Sequence, residues 1–257
     1  MTWFFDLILD LDAHLLLMLN SLRNEFGDVF MYDFSGKWVW IGFYLAIFYA
    51  LVRRFGFVRG LIYAFGAALT VSFADQMCAS VIRPLVGRMR PSNLENPLSA
   101  FVNIVNNYRG GPNGFPSCHA ANTFGLALYT TFVFRNLRFC VFVFLWALVN
   151  CWSRMYLGVH YPGDLLVGAI VGCVGAFVCY CLAGLMQNHV TRRGTSRGSF
   201  LGVRMYNEQP TSPDIAGKVG VWSIRRFGDP FDWSDFPVIV GVVTVICLLV
   251  KATLAVL

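Results

Sequence analysis

Charge is what this sequence has least of. Only 13% of its 257 residues are Asp, Glu, Lys or Arg, against roughly 25% in a soluble globular domain. So few solvating groups cannot cover a water-facing surface, and they exclude a disordered chain as well. No internal repeat, Gly-X-Y run or heptad pattern is present, which excludes collagen and coiled coil. No basic helix with interleaved aromatics occurs, so the net charge of +6 does not point to nucleic acid. A disulfide framework is missing too. Of 8 Cys, seven (Cys78, Cys140, Cys151, Cys173, Cys179, Cys181 and Cys247) lie in or beside apolar stretches, where a thiol behaves as a small hydrophobe. The first twenty residues carry Asp6, Asp10 and Asp12 and lack the basic start and small-residue cleavage site of a signal peptide.

Apolar residues fill the gap. They make up 57% of the chain, with 24 Phe and 7 Trp, and the mean hydropathy is +0.60. The chain therefore reads as an integral membrane protein of the all-α class. Six apolar stretches are visible: Trp38–Val52, Gly60–Ile82, Ala120–Phe134, Phe139–Ser153, Leu165–Gln187 and Phe236–Leu257. A membrane span needs roughly 17–25 residues, so about six transmembrane helices are expected, several extending into their flanks. Trp38, Trp40, Trp146, Trp152 and Trp222 are candidates for interface anchors. Ahead of the spans, Leu7, Ile8, Leu11, Leu15, Met18 and Leu19 recur at helical spacing, which predicts an interfacial helix. The organisation is then an N-terminal interfacial segment (1–37), a membrane core (38–187), a polar cytoplasmic connector (188–235) and a last transmembrane helix (236–257).

Orientation follows from the short loops. Arg53, Arg54 and Arg59, then Arg135 and Arg138, then Arg192, Arg193 and Arg197 fall on one side of an alternating topology, and the positive-inside rule makes that side cytoplasmic. The two remaining loops face out, yet they are also rich in arginine. The first holds Arg83, Arg88 and Arg90 and closes on Phe115-Pro116-Ser117-Cys118-His119. The second runs from Ser153-Arg154 to His160-Tyr161-Pro162-Gly163-Asp164. Guanidinium is the favoured partner of phosphate because its planar fork donates bidentate hydrogen bonds. Histidine exchanges protons near neutral pH and can act as a nucleophile. Asp164, four residues after His160, can orient its imidazole as a triad carboxylate does.

In order and spacing these blocks resemble the signature of the type 2 phosphatidic acid phosphatase (PAP2) superfamily, K-x6-RP, PSGH and SR-x5-H-x3-D. Here they read Arg83-x6-Arg90-Pro91, Pro116-Ser117-Cys118-His119 and Ser153-Arg154-x5-His160-x3-Asp164. The resemblance implies a PAP2-like helical core and a metal-independent, cofactor-free lipid phosphatase with a phosphorylated membrane lipid as its partner. It implies that His160 attacks phosphorus to form a phosphohistidine, that Asp164 fixes its tautomer, and that His119 protonates the leaving oxygen and then activates water. Arg83, Arg90 and Arg154 would hold the phosphate, with Ser117 and the Cys118 amide completing the cradle. Two departures stand out. Arg83 replaces the usual Lys, and Cys118 replaces Gly, which costs about 1 kcal/mol if that position needs a positive φ. Activity is expected to survive both.

The loop from Ser92 to Phe115 is long enough to read a headgroup, with Asn106, Tyr108 and Arg109 among its candidates. Arg88 and Arg109 stand open between site residues and solvated or lipid-bound ones. His14 and His189 read as structural. Asp75 and Gln76, interrupting a span, should face the interior or a wet cavity. The topology places the site at the periplasmic face of a bacterial inner membrane. Among the substrates the family resemblance implies, undecaprenyl diphosphate and lipid A phosphates are the first candidates, with phosphatidylglycerol phosphate and phosphatidate behind them. A lipid phosphotransferase and a catalytically silent lipid-binding protein are the alternatives. The sequence sets no oligomeric state.

Overall fold

The computed structural model describes residues 2–196 and 225–257, and the middle of the polar connector lies outside them. The chain folds into helices α1 (Thr2–Asn20), α2 (Glu25–Phe34), α3 (Ile41–Phe55), α4 (Phe57–Gln76), α5 (Arg83–Val86), α6 (Cys118–Phe134), α7 (Leu137–Tyr156), α8 (Pro162–Ser196) and α9 (Phe236–Val256). Among the described residues, five segments are long and apolar enough to cross a membrane: Trp38–Phe55, Phe57–Val86, Leu137–Tyr156, Pro162–Val190 and Trp233–Val256. The sixth expected span, α6, has 17 residues and packs against α4, α7 and α8. Helices α4, α6, α7 and α8 begin two or three residues ahead of their apolar stretches, whereas α9 stays within its own. The extension is largest in α8, whose helix continues to Ser196 where the sequence reading ended the span at Gln187.

Local chemistry sets the boundaries. Gly56 turns α3 into α4 at a φ of +79°, and Gly87 ends α5 at +63°. Asn24, Ser117 and Asn136 cap α2, α6 and α7 by accepting backbone N–H bonds in the first turn, which satisfies donors a helix start leaves free. Between α4 and α5 the helix passes through a π turn, Met77–Ile82, a distortion that tends to sit beside functional sites.

Two sets of contacts mark the two ends of the bundle. The first is the crossing of α6 and α8. A Cβ on Gly172 would lie 2.1 Å from the Ala121 carbonyl oxygen, and one on Gly168 2.4 Å from that of Ser117. Only glycine allows this approach, the small-residue packing by which membrane helices associate. The second lies at the other end of the bundle, where Arg54 pairs with Asp232 (2.8 Å), Arg138 with Asp235 (3.0 Å), and Asn136 donates to Asp235 (2.6 Å). Arginines from two of the three expected cytoplasmic loops thus gather together, away from the motif residues. Trp40 and Trp146 are not interface anchors. They are buried with Phe34 and Phe43 in the main core, because their rings fill space between α3 and α7, whereas Trp38 and Trp152 are exposed. Trp222 lies outside the described residues.

Candidate active site

The three sequence motifs converge at one end of the bundle. His119 is in the first turn of α6, Asp164 in the first turn of α8, Arg154 in the last turn of α7, and Arg83 where the π turn meets α5. The long loop after α5 folds back on itself instead of standing free. Met89 bridges Asn113, the Arg90 N–H donates to the Pro112 carbonyl (3.0 Å) and the Gly114 N–H to that of Arg88 (2.9 Å). That fold-back carries Arg88 and Arg90 against His160. Gly114 sits in the crease. A Cβ there would lie 3.0 Å from Arg90 Cγ, 3.1 Å from Asp164 Oδ2 and 3.5 Å from His160 Nδ1.

His160 is 1% exposed and held from both sides. Arg90 Nη1 lies 2.8 Å from its Nε2 and also donates to the Val159 carbonyl at 3.1 Å. A guanidinium has donors only, so Nε2 must accept and the ring proton sits on Nδ1. That nitrogen faces Asp164 Oδ2 at 3.3 Å, an oxygen which also accepts the Tyr161 N–H at 3.1 Å. Burial holds the His160 imidazole well below its ordinary titration range, and the charges of Arg90, Arg154 and Arg83 add to the effect. At neutral pH the ring is therefore uncharged, with an Nε2 lone pair directed among guanidinium groups. Arg90 is itself pushed down to about 10, by burial first and then by Arg154 and Arg83. Cations forced together in this way create a strongly positive pocket, suited to an anion.

The remaining expected residues divide. Arg83 Nη2 donates to the Pro116 carbonyl and faces the Cys118 sulfur, each at 3.0 Å. Arg154 Nη2 donates to the Tyr108 hydroxyl at 3.1 Å, so Tyr108 does reach the cluster. Arg109 does not. It donates to the Ser92 carbonyl (2.8 Å) while the Ser92 hydroxyl donates back (2.7 Å), tying the loop closed. Asn106 is exposed at a left-handed turn position, φ +50°, and does not line the cavity described below. The Ser117 hydroxyl caps α6, and its N–H donates to the Asp164 carbonyl at 2.9 Å. Cys118 is the first residue of α6 and is not among the positive-φ residues, so replacing glycine there carries no backbone strain. All eight cysteines are free.

Three participants were not legible in advance. Arg88, left open in the sequence, donates to Asp164 Oδ1 at 3.0 Å and pairs with Asp12 Oδ2 at 2.7 Å. Asp12, on α1, also accepts the Gly163 N–H at 2.7 Å. Nothing in the spacing of Asp6, Asp10 and Asp12 marks the third as different. The other participant is Lys37, ahead of α3, which is among the residues lining the cavity.

That cavity, about 860 Å³, runs from Arg83, Arg90, His119 and His160 into the bundle. One wall is apolar, built from Ile47, Phe48, Leu51, Ala64, Ala67 and Val71 of α3 and α4. Asp75 and Gln76 line it as expected, and Asp75 accepts a hydrogen bond from Asn122 at 3.2 Å. Among the described residues no group of three or more His, Cys, Asp or Glu is placed to hold a metal ion.

Known proteins resemble this chain. The lipid A 4'-phosphatase of Bacteroides thetaiotaomicron is 51% identical over 174 residues, covering 68% of this chain and 77% of that protein. The lipid A 4'-phosphatase of Porphyromonas gingivalis is 35% identical over 174 residues, 66% of this chain and 72% of that one. The crystal structure of Aquifex aeolicus LpxE shares the fold, with a TM-score of 0.50 and 24% identity over 65% of this chain and 92% of that chain. The PAP2 superfamily model matches residues 59–185, the stretch that holds all three motifs. The convergence of those motifs on one buried histidine, together with these relatives, establishes that the chain belongs to the PAP2 superfamily.

Proposed function

We propose that the substrate is lipid A, and that the enzyme removes its 4'-phosphate at the outer face of the inner membrane through a phosphohistidine. The chain is a membrane lipid phosphatase of the PAP2 superfamily, and two relatives named for lipid A support the choice of substrate over undecaprenyl diphosphate. The observation that carries the reading is the buried relay Asp164–His160–Arg90 at the head of a cavity with an apolar wall. A neutral Nε2 among three arginines can attack a phosphate monoester that those arginines hold, and the apolar wall suits the lipid's chains.

Attack by His160 Nε2 forms a nitrogen–phosphorus bond as the ester P–O bond breaks. His119, lining the same cavity, takes up a proton as the bound phosphate's negative charge offsets the arginines around it, donates that proton to the departing oxygen and then takes one from water. That water hydrolyses the phosphohistidine and releases inorganic phosphate. Arg83, Arg90 and Arg154 stabilise the equatorial oxygens, where charge builds in the transition state. The gathering of cytoplasmic-type arginines at the opposite end of the bundle supports an outward-facing site.

The test is phosphate release from purified lipid A by the detergent-solubilised enzyme, with His160→Ala as the control. Wild type should release phosphate and trap an acid-labile phosphoenzyme, and the variant should do neither. A His160→Ala protein that keeps turning over removes the nucleophile assignment. A wild type active on phosphatidate but not on lipid A removes the substrate assignment.

A further inference from the structure

We infer that Asp12, on the N-terminal helix, is a positioning residue of the active site: acting through Arg88, it sets the carboxylate of Asp164 and so the ring of His160. The inference rests on the roles proposed above for His160 and Asp164.

Helix α1 is built inside out by soluble standards. Among its described side chains the buried ones are Asp12, Leu16 and Asn20, spaced four apart on one face, while Leu7, Ile8, Leu11, Leu15 and Met18 are exposed. In a bilayer interface the apolar face belongs outside, and the polar face is free to serve the protein. Leu16 packs with Val102 and Tyr161, which presses the helix against the loop that carries His160. Asp10, by contrast, stays on the exposed side near His14.

A buried carboxylate persists only when paired, and that of Asp12 is paired twice. Oδ1 accepts the Gly163 N–H at 2.7 Å in the first turn of α8, and Oδ2 meets Arg88 Nη2 at 2.7 Å. Gly163 has no side chain to obstruct this, since a Cβ would lie 2.9 Å from Asp12 Oδ2. Arg88 in turn reaches Asp164 Oδ1 through Nη1 at 3.0 Å, with its guanidinium 3.8 Å from the centre of the Tyr161 ring. One cation is thus clamped between two carboxylates over an aromatic face.

The charge arithmetic explains why two acids are used. Arg88 with Asp164 alone would be neutral, and Asp164 would then give little support to positive charge developing on His160. With Asp12 sharing the cation, the trio carries a net charge of about −1, and that charge sits behind the imidazole. Asp12 also stops the guanidinium from turning wholly onto Asp164, which leaves Oδ2 free to face His160.

Asp12→Asn keeps the shape and can still accept the Gly163 N–H while removing the negative charge that faces Arg88. With lipid A as substrate, the expected result is a folded protein whose kcat falls roughly tenfold to a hundredfold with KM changed by less than about twofold. The same substitution in an Asp164→Asn background should cost nothing further, because both act through one carboxylate. Arg88→Gln cuts the link from the other side and should resemble Asp12→Asn. Asn20→Ala is the docking control. Asn20 fastens the same helix face, donating to the Tyr156 carbonyl at 2.7 Å and accepting the Asn103 N–H at 2.7 Å, without touching Arg88. It should leave kcat within about twofold. The inference is overturned if folded Asp12→Asn or Arg88→Gln has wild-type kcat, if Asn20→Ala loses as much as Asp12→Asn, or if the Asp12 and Asp164 effects add in full. An active His160→Ala would instead remove the reading on which the inference rests.

Discussion

Gly172→Ala tests whether the helix crossing beneath the site aligns the reacting groups. The added methyl would lie 2.1 Å from the Ala121 carbonyl oxygen, and this obstacle is backbone, not a side-chain tip that could swing away. Carbon–oxygen contacts settle near 3.3 Å, so α6 and α8 must separate locally by about 1.2 Å. Gly172 lies two turns beyond Asp164, and Ala121 lies two residues beyond His119. The wedge therefore opens directly under the proposed acid and the relay carboxylate. A misplacement of about 1 Å costs roughly a hundredfold when reacting atoms must be aligned. Helix propensity argues the opposite way, since Ala is favoured over Gly by about 1 kcal/mol in a helix interior, so fold loss and site loss can be separated. The measurement is kcat for phosphate release alongside thermal denaturation in detergent. A fall in kcat of about a hundredfold in a protein that still unfolds cooperatively is the expected outcome. Near-wild-type kcat would refute the argument that this crossing sets the geometry.

Further outcomes follow from the same site. His160 is held neutral in the folded state with its pKa depressed, so its contribution is fully present above about pH 6.5, the unfolded value, and is lost as pH falls toward the folded value, at up to about 1.4 kcal/mol per pH unit. Denaturation of wild type should therefore steepen below pH 6.5 relative to His160→Gln, and identical slopes would remove the claim of a buried neutral ring. Arg90→Lys keeps a charge but loses the fork that touches both His160 and the Val159 carbonyl; kcat should drop roughly a hundredfold with modest loss of stability, and a drop of less than about threefold would show that charge alone suffices. Cys118→Gly restores the residue usual at this motif position, and because Cys118 occupies an ordinary helical conformation, kcat should change by less than about twofold. A large gain would mean that the thiol obstructs Arg83.

The chemistry at the centre of the site was legible because its residues are close in sequence or sit in fixed motifs. His160 and Asp164 are one helical turn apart, and a carboxylate at that spacing can reach an imidazole whatever surrounds it. Arg90 and Arg154 follow from the same logic, since guanidinium groups clustered in loops expected to face outward have few purposes other than binding anions. The headgroup loop was less legible. Arg109 and Asn106 looked like readers of substrate because they are polar and lie in a long loop, but Arg109 closes that loop on Ser92 and only Tyr108 turns inward. Side-chain direction in irregular structure depends on backbone turns that composition does not encode.

Apolar composition and the spacing of charge were enough to mark this chain as an all-α membrane protein, and its motifs singled out residues that the fold brings together. Tertiary structure alone decided what supports those residues. Asp12 lies 152 positions before Asp164, and its part depends on an apolar helix turning its polar face inward onto Arg88. Gly114 and Gly172 matter only because other atoms come within about 3 Å of where a side chain would begin. Hydrophobicity and motif spacing are properties of short stretches, which a sequence displays directly. Close approach and charge pairing between distant segments exist only once the bundle has formed.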